Sequence, residues 1–116
     1  MTLHATCRDN TGVAVVDLSG RITLGEGSAL LRETIKGLAA TGKKKIILNL
    51  ADVDYIDSAG IGELVGAYTT VGNIGGELKL LNLTKRVNDL LQITKLVTVF
   101  DVQNEEWTAV RSFKSA

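Results

Sequence analysis

Lys45-Ile46-Ile47-Leu48-Asn49-Leu50-Ala51-Asp52-Val53-Asp54-Tyr55-Ile56-Asp57-Ser58-Ala59-Gly60-Ile61-Gly62-Glu63-Leu64 changes character twice along its length. Ile46 to Leu50 is nearly all apolar, the pattern of a strand covered on both faces. From Ser58 to Val71 the residues Ile61, Leu64, Val65, Tyr68 and Val71 return at helical spacing. The acidic stretch between them, Asp52 to Asp57, reads as a turn whose aspartates cap the helix. Gly72-Asn73-Ile74-Gly75-Gly76 breaks the helix, and Glu77 to Leu83 reads as the next strand. Strand, helix and strand in that order make a right-handed crossover between parallel neighbours.

Working outward, Leu3, Ala5 and Cys7 alternate with polar residues, and Val13 to Leu18 is rich in β-branched side chains. Asn10-Thr11-Gly12 supplies the turn, so Thr2–Arg8 and Val13–Ser19 read as a hairpin. A helix is expected from Glu26 to Ala40 with Leu31, Ile35 and Leu38 inward, ended by Gly42. Thr84 to Ile93 reads as a short helix, Val97 to Phe100 as a last strand, and Asn104 to Phe113 as a final helix with Trp107, Val110 and Phe113 inward. The expected fold is α/β: one domain over residues 1–116, with a mainly parallel sheet, an N-terminal antiparallel hairpin and about four helices.

Composition narrows the function. The 116 residues carry 13 basic and 13 acidic side chains. A balanced charge removes the electrostatic case for nucleic acid or an anionic membrane surface. No apolar run approaches the roughly 20 residues that cross a bilayer, so direct membrane insertion is not expected. The N-terminus lacks the layout of a secretory signal. One cysteine and one histidine give neither a disulfide nor a metal cluster. The expectation is a cytoplasmic protein without metal or cofactor.

Three segments offer chemistry. Gly37-Leu38-Ala39-Ala40-Thr41-Gly42-Lys43 has the glycine and lysine spacing of a phosphate loop, but a helix precedes it and a strand follows. Such a loop needs a helix N-terminus aimed at the anion, and Lys44 stands where a magnesium-binding hydroxyl belongs. The alternative is a helix C-cap followed by solvated lysines. Asp52-Val53-Asp54, after a strand, raises an Asp-x-Asp phosphotransferase. Against it, the chain has no room for a substrate cap, and no lysine partner is evident. The third segment is Asp57-Ser58-Ala59-Gly60-Ile61-Gly62, at the entrance to the second helix. Asp57 or Ser58 can cap that helix. Behind them Ala59, Gly62, Gly66 and Thr69 or Thr70 form a strip of small residues. Three helical glycines cost about 2–3 kcal/mol against alanine, which implies that bulk is excluded by internal packing or by a partner.

Tyr55-Ile56-Asp57-Ser58-Ala59-Gly60-Ile61-Gly62-Glu63-Leu64 resembles the signature of the STAS family, the anti-sigma-factor antagonists. The resemblance extends to Lys45–Val53, Val15–Ile22 and Gly76–Leu80, and the family's element order matches the one read above. It implies that Ser58 is phosphorylated by a serine kinase that doubles as an anti-sigma factor. Unphosphorylated antagonist binds that ATP-binding partner and frees a sigma factor, and a serine phosphatase resets it. Asp57, Ser58, Ala59, Gly60, Gly62, Glu63 and Gly66 are then the partner-binding residues, with Asp52, Asp54 and Asp57 supplying the switch electrostatics. No residue is expected to be catalytic. Two departures stand out. Ala59 replaces a frequent second hydroxyl, and Arg21-Ile22-Thr23-Leu24 lacks an aspartate often present there. The alternative within the family is a STAS subunit of another signalling assembly or of an ABC-type lipid transport complex.

Overall fold

A computed structural model describes residues 3–113. Strands β1 (His4–Asn10) and β2 (Val13–Ile22) form the hairpin; helix α1 (Glu26–Ala40) follows, then β3 (Lys45–Ile56), α2 (Ser58–Asn73), β4 (Glu77–Leu81) and α3 (Lys85–Ile93). A 3-10 turn at Leu96–Thr98, β5 (Asp101–Gln103) and α4 (Glu106–Arg111) complete the described chain. The sheet order is β1-β2-β3-β4-β5, with β1 antiparallel to β2 and the remaining pairs parallel. The expected start of β1 at Thr2 lies outside the described residues.

The hairpin turns tightly because Thr11 and Gly12 both take positive φ, 51° and 92°, while Asn10 pairs with Val13. Two positive values match the twist of the flanking strands. Strand alternation then sorts the core. Ala14, Val16, Leu18, Ile46, Leu48 and Leu50 face a large cluster with Leu31 and Ile35 of α1, Leu64 and Val71 of α2, and Val87 and Leu91 of α3. Val13, Val15, Ile47 and Leu81 face the other way, against Ala109 of α4 and Phe113. The apolar run of β3 is explained by this two-sided cover.

Four expectations are corrected. The acidic stretch is no turn: β3 continues as strand to Ile56, with Val53 and Ile56 buried and Asp52 and Asp54 exposed. Val97 to Phe100 is not a strand. Lys95 takes φ 62° and the chain makes a 3-10 turn that drops Phe100 into the core beside Tyr68, at 5.6 Å between ring centroids. The last strand instead begins at Asp101, four residues after the expected Val97, and a four-residue apolar run cannot separate a strand from a core plug by periodicity. Trp107 points outward, 59% exposed, with Arg111 stacked on its ring at 5.3 Å. Ala109 and Phe113, four apart, fill the inward positions instead. Finally, the buried face of α2 is Gly60, Leu64, Ala67 and Val71, so Tyr68 sits at the rim, 39% exposed.

Candidate functional site at the entrance to α2

Asp57 is the N-cap of α2: its Oδ1 accepts the Gly60 N–H at 2.9 Å. Its Oδ2 accepts the Leu24 N–H, also at 2.9 Å, across the loop between β2 and α1. Its own N–H donates to the Ile22 carbonyl at 3.3 Å. One residue therefore joins the end of β2, the loop after it and the start of α2. The bonds from Leu24 and then Gly60 hold the Asp57 carboxyl below the usual carboxylate range. The sequence offered Asp57 or Ser58 as the cap, and Asp57 takes the role. The bond to Leu24, across more than thirty positions of chain, was not legible there.

Ser58 occupies the first helical position and is exposed. No other described residue engages its hydroxyl. The helix dipole makes this position favourable for an added negative charge, by about 0.3–1 kcal/mol at an exposed site. Asp52 and Asp54 lie behind it in extended strand, respectively about 13 and 7 Å from Ile56 along β3 at roughly 3.3 Å per residue. The screening length at physiological salt is about 8 Å. Of the three aspartates, Asp57 alone adjoins Ser58, and the expected acidic cluster is drawn out by the strand.

The small residues divide by what surrounds them. A Cβ on Gly60 would lie 2.1 Å from the Ile22 carbonyl oxygen and 2.7 Å from Ile56 Cγ2. Gly60 is buried, and internal packing alone excludes bulk there. Gly62 and Gly66 are exposed, and a Cβ on either meets nothing within 4 Å. Internal packing does not account for those two. Glu63 pairs with Arg32 of α1 at 2.9 Å, and beside that bridge Gly66 helps line a shallow groove of about 220 Å³ between α1 and α2. Ala59 is half-buried.

The residue that the sequence reading did not select is Leu24, 80% exposed at this same corner. Its apolar character within an otherwise polar loop was the available signal.

The other segments carry different roles. Gly42 takes φ 81°, its N–H donates to the Ala39 carbonyl, and the Lys43 N–H donates to the Leu38 carbonyl. Residues 37–43 are thus a helix C-cap that presents carbonyls where a phosphate loop presents N–H groups. Among the described residues no group of three or more His, Cys, Asp or Glu could hold a metal ion. No helix among them is long and apolar enough to cross a membrane.

A model of the STAS domain matches residues 4–109. The chain belongs to the STAS domain family. Among curated relatives it is 35% identical over 102 residues to the anti-sigma-B factor antagonist of Bacillus subtilis, covering 88% of this chain and 92% of that one. An anti-sigma factor antagonist structure from Mycobacterium paratuberculosis superposes with a TM-score of 0.85 at 20% identity, over 97% of this chain and 95% of that one. The Bacillus cell fate determinant SpoIIAA in its phosphorylated form gives 0.71 at 21% identity, over 93% and 98%. These structures share the overall fold of this chain.

Proposed function

We propose that this STAS domain is an anti-sigma-factor antagonist: a binding regulator, working in the cytoplasm, whose affinity for its partner is set by phosphorylation of Ser58. The observation that carries the reading is an exposed serine at the first position of α2, fixed beside a carboxylate that already caps the helix. The 35% identity to a named antagonist over nearly the whole chain supports it. In this reading a serine kinase that also acts as anti-sigma factor supplies ATP and the base. The Ser58 Oγ attacks the γ-phosphorus, the bond to the bridging oxygen of the leaving ADP breaks, and the hydroxyl proton passes to the kinase. A serine phosphatase reverses the modification by hydrolysis.

Phosphate adds about −1.5 to −2 charges at pH 7. Because Ser58 is exposed, the added group displaces no packed side chain and the fold persists. The surface formed by Asp57, Ser58, Ala59, Gly62 and Gly66 then becomes strongly anionic and costly to desolvate, and docking fails. Gly60 serves this surface from inside, by letting the end of β2 approach α2. The test is phosphosite mapping after incubation with the partner kinase and ATP. Label on Ser58, lost in Ser58→Ala, supports the reading; label on an aspartate without a kinase overturns it in favour of a phosphotransferase.

A further inference from the structure

Leu24 is a large apolar side chain that is 80% exposed, level with Ile93 at 79%, and of the two it is the one bonded through its backbone to the cap of α2. Packing does not hold it. The backbone does: the Leu24 N–H is bound to Asp57 Oδ2, the neighbouring Thr23 carbonyl accepts the Ser28 N–H at 2.9 Å, and the Gly25 carbonyl accepts the Ala29 N–H at 3.0 Å. The loop is therefore fixed against the start of α2 while its largest apolar group stays in water.

Any enzyme that transfers a phosphoryl group to Ser58 must cover the surface around that hydroxyl. A standard interface buries about 800 Å² per partner, a patch on the order of 16 Å in radius. Leu24 is one hydrogen bond from the residue that precedes Ser58, well inside such a patch. We propose that Leu24 is the apolar anchor of this interface, seated in an apolar socket on the serine kinase, and that Asp57 acts as a positioning residue that presents it. The inference rests on the phosphorylation-switch reading and adds a contact that the small residues of α2 do not provide. Because the backbone that carries it is already fixed, docking has only the rotamers of this one side chain left to order, and most of its burial appears as affinity.

The experiment is calorimetric titration of the purified serine kinase that modifies Ser58 with wild type, Leu24→Ala, Asp57→Asn, the double variant and Ser58→Asp. Burying a leucine side chain predicts a loss of about tenfold to fiftyfold in affinity for Leu24→Ala. Its melting temperature should stay close to wild type, because the side chain is 80% exposed. If Asp57 acts through Leu24, the double variant loses less than the product of the single losses. Affinity of Leu24→Ala within twofold of wild type, alongside loss in Ser58→Asp, overturns the anchor and leaves the switch standing. Failure of any serine kinase to bind wild type or label Ser58 overturns the switch itself, and the anchor with it.

Discussion

Gly60 gives the sharpest test of the local architecture. Replacing it by alanine places a methyl carbon 2.1 Å from the Ile22 carbonyl oxygen and 2.7 Å from Ile56 Cγ2. The Ile56 methyl can turn aside, but the carbonyl is backbone, and it already accepts the Asp57 N–H. Relief requires α2 to slide away from β2. Overpacking of this kind costs about 1–3 kcal/mol or more, and a backbone clash belongs at the upper end. The alanine gains back about 1 kcal/mol of helix propensity. The expected net loss is about 2 kcal/mol. For 116 residues at about 2.1 cal/mol/K each, the unfolding entropy is roughly 240 cal/mol/K, so the melting point falls by about 8 °C. Gly62→Ala and Gly66→Ala enter open space and keep only the propensity gain, so each should melt about 3–4 °C higher than wild type. Thermal unfolding by far-UV circular dichroism, with urea titration as a second measure, decides the matter. Gly60→Ala melting at or above wild type, or Gly62→Ala losing stability, would refute the assignment of Gly60 to packing and Gly62 to the free surface.

Ser58→Ala should bind the partner as wild type does, and Ser58→Asp should bind at least tenfold more weakly by calorimetry; equal binding by both removes the electrostatic switch. Gly62→Leu and Gly66→Leu should lose partner binding with an unchanged circular dichroism spectrum, and unfolding of either would place these residues in the core after all. Arg8 joins Glu106 and Asp17 at 2.6 Å each and so ties α4 to the hairpin. Arg8→Met should cost about 1 kcal/mol, given that the group is partly exposed, and should speed amide exchange in α4 more than in α2. Hydrogen bonds from Arg8 lower the Asp17 and Glu106 carboxyls, one from Lys79 lowers Asp101, and the backbone N–H groups of Leu24 and Gly60 lower Asp57. Folded values below unfolded ones mean that this stabilisation is complete above the unfolded carboxylate range, near pH 4, and drains away as pH falls through the folded values. Urea midpoints should be flat from pH 7 to 5 and drop below pH 4, with a smaller drop in Arg8→Met; identical acid dependence in that variant refutes the role given to the Arg8 bridges.

The sequence by itself determined the element order, the bounds of α1, the start of α2 at Ser58 and the family. The first three rest on local physics, namely apolar period, glycine punctuation and an aspartate followed by helix, and the family rests on the resemblance carried by Tyr55 to Leu64. It also placed Ser58 directly after the capping aspartate, whereas the exposure of its hydroxyl was decided by the fold. Tertiary structure decided the rest. The acidic stretch became strand because β2 reaches Ile22 and pairs with it, Ile22 opposite Ile56, and no local rule for aspartate records that partner. Phe100 became a core plug because it fits the space beside Tyr68 of α2, and Trp107 became an exposed ring because Ala109 and Phe113 already fill the inward positions on the other face of the sheet. The glycines of α2 are the clearest case. In sequence Gly60, Gly62 and Gly66 are alike, three helix-weakening residues on one segment. Only the approach of the Ile22 carbonyl separates the first, which the fold requires, from the other two, which it leaves free for a partner.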